Sequence, residues 1–288
     1  VRFEAENAVK TSSQMLYPVQ DQSSAVVYPM SARYLLNNSI GSSWKNAGQW
    51  IEWAFEVPQD GYYEITMVDK QNFVRGIDVY RKIMIDGEVP FAEFNAQPFS
   101  YTQTWRIETL SDEDGNAYRV YLTAGKHTLR MEVVLGDNII AQVQDCVQQL
   151  NNIYRQVIYI TGVAPDQYRD YQLTASLPKL EGELRAVQAD IDSAIAALEK
   201  TAGNDSDKLT VLRTMSDQLD ELIEDQERFT EVLSSFKTNV RACGNWITQV
   251  LAQPLQVDRF YIHAADTQPK LDNSSWWESL AHETERLY

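Results

Sequence analysis

Two glutamates near the start of the chain, Glu4 and Glu6 in VRFEAENAVK, stand two residues apart in a segment that reads as a strand. Side chains alternate across a strand, so both carboxylates point to one side. Such a pair repels unless water solvates it on an exposed edge or a cation with further ligands neutralises it. A second set of residues with chemical potential falls in apparent loops. It comprises Asn37, Asn38 and Trp44 in LLNNSIGSSWKNAG, Gln71, Asn72 and Phe73 in DKQNFVRG, and Tyr101 and Trp105 in FSYTQTWR. Aromatic faces flanked by amides suit a sugar ring, which has an apolar C–H face and a polar rim. The same residue types also cap the core of an ordinary sandwich.

Catalytic signatures are missing from the sequence. It holds no GxSxG, no HExxH and no phosphate-cradling glycine-rich loop. His127, His263, His282, Cys146 and Cys243 form no CxxC and no usable Cys–His pair, so neither a zinc site nor a disulfide framework is expected. Both cysteines fall on apolar faces of predicted helices, as buried thiols or as a bridge between the two. The acidic runs ADID, DELIEDQE and SDED lie on solvent faces or in turns. They need no glycosidase carboxylate pair to explain them, and the chain reads as a non-enzyme.

The net charge of −16 opposes binding to nucleic acid or to anionic lipid, both of which require basic surface. It fits neutral ligands such as sugars, or divalent cations. Hydrophobic residues at 44% and aromatics at 11% mark a globular chain rather than a disordered one. No run approaches the ~18–20 apolar residues of a membrane span, and no secretory signal is present. The chain begins inside a strand-like pattern and ends in ERLY after the apolar SSWWESL. It therefore reads as a piece of a longer protein, with the tryptophan pair as a docking seam.

Two kinds of element must position these residues. Residues 1–135 read as short strands separated by turns: QWIEWAFEV, PQDG, YYEITMVD, then RKIMI, DG, EVPFAEF, then YRVYL, TAG, KHTLRMEVVL. The turns DG and AGK supply positive φ, and regular strands at this spacing suggest a sandwich or jelly roll. From residue 136 to residue 253 the period becomes helical. One stripe runs Ile139, Ile140, Val143, Val147, Leu150, Ile153, Tyr154, Val157, Ile158, with Asp137 as N-cap and Gly162 as stop. Leu180, Leu184, Val187, Ile191, Ile195 and Leu198 make a second stripe. Two more helices carry Leu209 to Leu222 and Leu233 to Val250, and four such stripes are most simply one another's core. Residues 254–267, in PLQVDRFYIHAAD, return to strand alternation. A single strand cannot stand alone, so it must join the sheets of 1–135, which makes the helices an insertion. Residues 268–288 read as a linker or helix towards a further domain. The fold class is thus α+β, a β-sandwich with an inserted antiparallel helical bundle.

FEAENA, GQWIEWAFEVPQDGYYEITM, IMIDGEVPF, YLTAGKHTLRMEV and LQVDRFYI, in this order, resemble carbohydrate-binding modules of families six and thirty-five, and cover about half of the chain. Those modules are galactose-binding-like jelly rolls with an opening EAE, an aG-x-Y strand start, a GkHtl turn and a closing lDyi strand. The resemblance implies a structural calcium held by Glu4, Glu6 and Asp258, tying the first strand to the last. The physics allows it, because Ca²⁺ takes six to eight oxygens, largely from carboxylates and carbonyls. The alternative is that Asp258 pairs with a nearby base such as Arg259 or Arg2. In the modules, the loop before the closing strand borders the ligand site, whereas here the helices replace it. They would cover that site, reshape it or leave a secondary face.

LLNNSIG, GIDVYRKIMIDGEVPF, NNIYRQVIYITG and APDQYRDYQLTASLP resemble a region of large extracellular solute-binding proteins of Gram-positive bacteria. There it precedes the domain that captures solute for an ABC importer. The resemblance implies a cell-surface location, a downstream solute-binding domain and importer as partners, and a glycan or oligosaccharide as ligand. The other reading is a purely structural or protein-interaction module that uses its helices.

Overall fold

The computed structural model describes residues 1–20, 36–37, 43–75, 77–136, 139–202 and 207–269. Strand alternation in the first half becomes β1 (Arg2–Glu4), β2 (Lys10–Thr11), β3 (Val19–Gln20), β4 (Leu36–Asn37), β5 (Trp50–Val57) and β6 (Gly61–Lys70). β7 (Val79–Ile85), β8 (Gln97–Phe99), β9 (Arg106–Thr109), β10 (Val120–Leu122) and β11 (Gly125–Val134) follow. After the helices comes β12 (Gln256–Ala264). One sheet runs β1-β12-β6-β10, with β9 also paired to β6, and the other runs β2-β5-β11-β7-β8. All these pairings are antiparallel. Between the sheets lies an apolar core that includes Trp53, Met67, Leu129 and Phe260.

Local chemistry explains the turns. Asp86 and Gly87 both hold positive φ (52° and 85°), the pair of left-handed residues that a tight hairpin requires. They join β7 to the Ile85–Glu88 bridge. His127, the third residue of β11, is clamped between Asp86 Oδ2 and the Thr123 carbonyl, each 2.7 Å from a ring nitrogen.

β12 lies between β1 and β6, hydrogen-bonded to both, so the chain that leaves the sandwich after β11 returns to its interior. The helices are therefore inserted into the sandwich. Among the described residues, those within 1–74, 78–136 and 252–269 cluster as one compact unit, and those within 75–77 and 139–251 as the other. The short 75–77 stretch escapes a boundary drawn from composition. Residues 270–288, with SSWWESL, lie outside the described residues, as does Asp137.

The second unit contains α1 (Ile139–Thr161), the one-turn α2 (Leu173–Ser176), α3 (Leu180–Ala202), α4 (Asp207–Glu224) and α5 (Phe229–Leu251). α1 packs on α3 and α5, and α4 packs on the same two, which closes a four-helix ring. The α3 stripe, Leu180 to Leu198, is buried throughout. On α1 the buried line is Ile140, Val143, Cys146, Leu150, Ile153 and Val157, so Val147 and Tyr154 flank it rather than fill it. Gly162, at φ 75°, donates its N–H to the Ile158 carbonyl and ends the helix.

Candidate functional site

Two loops meet at the end of β6. The Thr102 N–H donates to the Gln71 carbonyl at 2.8 Å, which ties residues 71–74 to the 100–105 segment ahead of β9. The Gln71 side chain is buried; its Oε1 accepts from the Phe73 and Val74 N–H groups and its Nε2 donates to the Val74 carbonyl. Gln71 is thus the internal brace of the loop and not a ligand contact. The brace leaves Asn72 exposed and Phe73 50% exposed, with Tyr101 half-buried on the facing loop. Trp105 is buried, packed with Val68, Tyr261 and Ile107, and the Lys70 ammonium stands 4.7 Å above its ring.

Trp44 is placed otherwise than a sugar platform requires. It has no exposed surface, because its ring sits edge-on to Trp53 at 6.3 Å with the Arg81 guanidinium 4.3 Å from its centroid. A ring sealed on both sides offers nothing to a ligand, so Trp44 belongs to the core. Asn37 lies in the β3–β4 pair, away in sequence from the loop pair, and Asn38 lies outside the described residues. Of the eight loop candidates, Asn72, Phe73 and Tyr101 remain accessible together.

Arg81 is the residue that composition hides. It is fully buried, has no carboxylate partner among the described residues, and donates to the carbonyls of Tyr80, Trp44 and Gln253. Burial pulls its pKa down to about 9. Gln253 in turn accepts from the Tyr80 N–H and donates its own N–H to the Lys45 carbonyl. Arg81 therefore fastens the chain re-entering from the helices to β7 and to the Trp44 turn.

Beside the loop pair, Asp69 is fully buried and Arg106 bridges it to Glu108, at 3.0 and 2.9 Å. Burial raises the pKa of both carboxyls, and the Arg106 charge opposes the rise. Glycoside hydrolysis holds its two carboxyls ~5–9.5 Å apart around a substrate. Asp69 is sealed from solvent and shares Arg106 with Glu108, which suits a structural ion pair.

At the other end of the chain, β1 ends at Glu4, and Ala5 and Glu6 form a turn closed by the Asn7 N–H on the Glu4 carbonyl, so the two glutamates do not share one strand as their spacing suggested. A register shift between Val257 and Arg259 makes Asp258 the bulged residue of β12, and its carbonyl accepts the Ala5 N–H at 2.8 Å. Glu4 Oε1 is taken by Arg2 at 2.6 Å and Asp258 Oδ2 by Arg259. Burial lifts the Glu6 pKa to about 7, the charges of Glu4 and Asp258 add to the rise, and Arg2 opposes it. Glu4 Oε2 and Glu6 Oε2 are buried without a hydrogen-bond partner. Among the described residues, however, no group of three or more His, Cys, Asp or Glu side chains is gathered so as to hold a metal ion. Arg2 and Arg259 thus each take one of the three carboxylates, Glu4 and Asp258 respectively.

In the bundle, Cys146 and Cys243 are free buried thiols, and burial pushes both up to about 12. A surface groove of about 370 Å³ between α1 and α5 is lined by Asn151, Tyr154, Lys237, Arg241 and Asn245 among others. No helix among the described residues is long and apolar enough to cross a membrane.

Residues 138–254, the helical unit, match the family model described as bacterial solute-binding protein, 4-helix bundle domain. No curated protein matches the chain. Among solved structures, the family 35 carbohydrate-binding module of Paenibacillus barcinonensis is 17% identical, with a TM-score of 0.32 over 46% of this chain and 88% of that one. The family 35 module from Clostridium thermocellum gives 17%, 0.33, 48% and 88%. A Paenibacillus cycloisomaltooligosaccharide glucanotransferase complexed with cycloisomaltoheptaose gives 16%, 0.35, 72% and 29%. At TM-scores this low, the sandwich is assigned from its own strand order and pairing.

Proposed function

We propose that this chain is a non-catalytic accessory region of an extracellular solute-binding protein, and that its sandwich binds a neutral glycan at the loop pair. One observation carries the reading: Phe73, next to Asn72, is half exposed on a loop that Gln71 braces from within and that the Thr102 N–H ties to the Tyr101 segment. A solvent-facing ring held in advance loses little freedom on binding, and that suits stacking on a sugar. Downstream, a solute-binding domain would deliver its cargo to an ABC importer, with this region positioning it.

The test is titration of a panel of neutral oligosaccharides against the chain and against Phe73→Ala. Phe73 is a surface residue whose loss leaves the Gln71 brace intact. At least a fivefold loss of affinity in the variant is expected, the scale of a modest aromatic contact. No binding by the wild type across the panel would sink the reading.

The structural Ca²⁺ belongs to the same proposal. The two unpartnered carboxylate oxygens of Glu4 and Glu6 favour it, and the Asp258–Arg259 pair would have to open to complete it. A second reading, a protein-interaction module, is favoured by the groove on α1 and α5. Its Lys237 and Arg241 have no carboxylate partner among the described residues, on a chain whose net charge is −16.

A further inference from the structure

The helices do not share the chain's charge evenly. α3 and α4 carry five acidic residues each, whereas α1 holds only Asp145 and α5 only Glu231. Neither of those two lines the groove of about 370 Å³ between α1 and α5. Its charged groups are Lys237 and Arg241, both exposed and without a carboxylate partner among the described residues. On a chain of net charge −16, the groove is therefore cationic, with no acid on its walls.

The other walls narrow what could lie in it. The Lys237 ammonium is 5.8 Å from the centre of the Tyr154 ring, so an aromatic face borders one of the cations. Asn151 and Asn245 each bring an amide with two donors and an acceptor, and Val147 and Val240 add apolar surface. Gly244 has no part in the packing of the bundle: a Cβ there would meet nothing within 4 Å. A helix is less stable with glycine inside it than with alanine, so what the missing side chain provides is room in the groove.

We propose that this groove is a docking site for an extended acidic peptide segment of a partner protein. The inference deepens the reading of the chain as a protein-interaction module and rests on it, with no part for the sandwich. Lys237 and Arg241 are one helical turn apart, about 6 Å at ~1.5 Å per residue. Alternate side chains of an extended segment stand about 6.6 Å apart at ~3.3 Å per residue. Two carboxylates at alternate positions therefore meet the two cations in step. The amides select a peptide over a phosphate polymer, because their oxygens accept from backbone N–H groups that a phosphate chain lacks. The room at Gly244 lets the backbone of the segment come close to α5.

The experiment is fluorescence anisotropy on the full chain with a labelled synthetic peptide of alternating glutamate and threonine. Its glutamine counterpart is the control, and inorganic polyphosphate is the competitor. Wild type is compared with Lys237→Gln/Arg241→Gln, with Gly244→Leu and with the sandwich variant Phe73→Ala. The glutamate peptide should bind, more weakly as salt rises, and the glutamine peptide should not. The double variant should lose about tenfold or more in affinity. Gly244→Leu fills the groove with a good helix former, so it should lose a similar factor while melting no lower than wild type. Phe73→Ala should bind as wild type does. Equal binding of the glutamine peptide, or binding that survives both groove variants, overturns the acidic groove and leaves the interaction reading standing. Polyphosphate that displaces the peptide and binds more tightly than it does overturns the peptide in favour of a phosphate polymer. If no peptide binds but sedimentation shows self-association that the double variant removes, the occupant is a second copy. The proposal then falls and the interaction reading stands. No peptide binding and no self-association overturn both.

Discussion

Glu6→Gln is the sharpest probe of the β1–β12 junction. Glu6 has a pKa near 7 in the folded chain against an ordinary value of 4.5, so the folded state holds a proton that the unfolded state has released. Stability then falls as pH rises from about 4.5 through 7 and is level above that. A rise of 2.5 units (7 − 4.5) corresponds to about 3.4 kcal/mol. Because Glu6 keeps some solvent contact, screening reduces this to roughly 1.5–2 kcal/mol. Glutamine has the same shape and no charge. In EDTA at pH 8 the variant should melt about 3–8 °C above wild type, at ~2–4 °C per kcal/mol for a unit of this size. At pH 4.5, where Glu6 is protonated, the two should coincide. Calorimetric melts across this range provide the assay. A variant that melts below wild type in EDTA at pH 8, or with a pH-independent difference, refutes the electrostatic account of the cluster. Repeating the melts in excess Ca²⁺ tests the cation. If it binds, the order reverses, because wild type alone has the Glu6 carboxylate for it, and at a hundredfold excess over Kd wild type gains about 2.7 kcal/mol.

Two further outcomes follow from buried ionic groups. Burial works against the His127 charge, but Asp86 and the Thr123 carbonyl outweigh it and raise the pKa above 6.5. Its stabilisation is present in full below 6.5 and lost as pH climbs through the raised value. Thermal melts should therefore show a gap between wild type and His127→Gln that is wider at pH 6 than at pH 9, and a constant gap would contradict the imidazolium clamp. Arg81→Ala should cost about 3–5 kcal/mol in urea unfolding of the sandwich, since three buried carbonyls lose their donor. Arg81→Lys should recover only part, because one ammonium cannot reproduce the fork. Full recovery by lysine would show that the charge alone matters.

Elements whose pattern depends on neighbours a few residues away were legible in the sequence. Alternation in QWIEWAFEV and GYYEITMVD marks β5 and β6, and DG marks the turn after β7. The stripe from Leu180 to Leu198 marks a helix buried on one side. The return to alternation near Val257 was also readable, and with it the need for a partner sheet. Local pattern could not say which loop aromatics face water. Trp44 and Phe73 both sit among amides and turns, yet one is sealed between Trp53 and Arg81 and the other projects from a braced loop. That difference depends on Arg81, thirty-seven positions from Trp44 along the chain.

GYY requires one tyrosine in and one out, and YRVYL carries another outward ring, Tyr121, one residue before its end. Only the register of β10 on β6 places those two rings side by side. The opening carboxylates follow the same division. FEAEN reads as one strand with two glutamates on one side, but the strand stops at Glu4 and Glu6 lies in the turn that follows. Whether Asp258 faces them or its own neighbour Arg259 is decided by a bulge in β12 and by the chain's return from the helices. Periodicity acts over a few residues and is written in the sequence, whereas burial and charge pairing depend on what the fold brings from far along the chain.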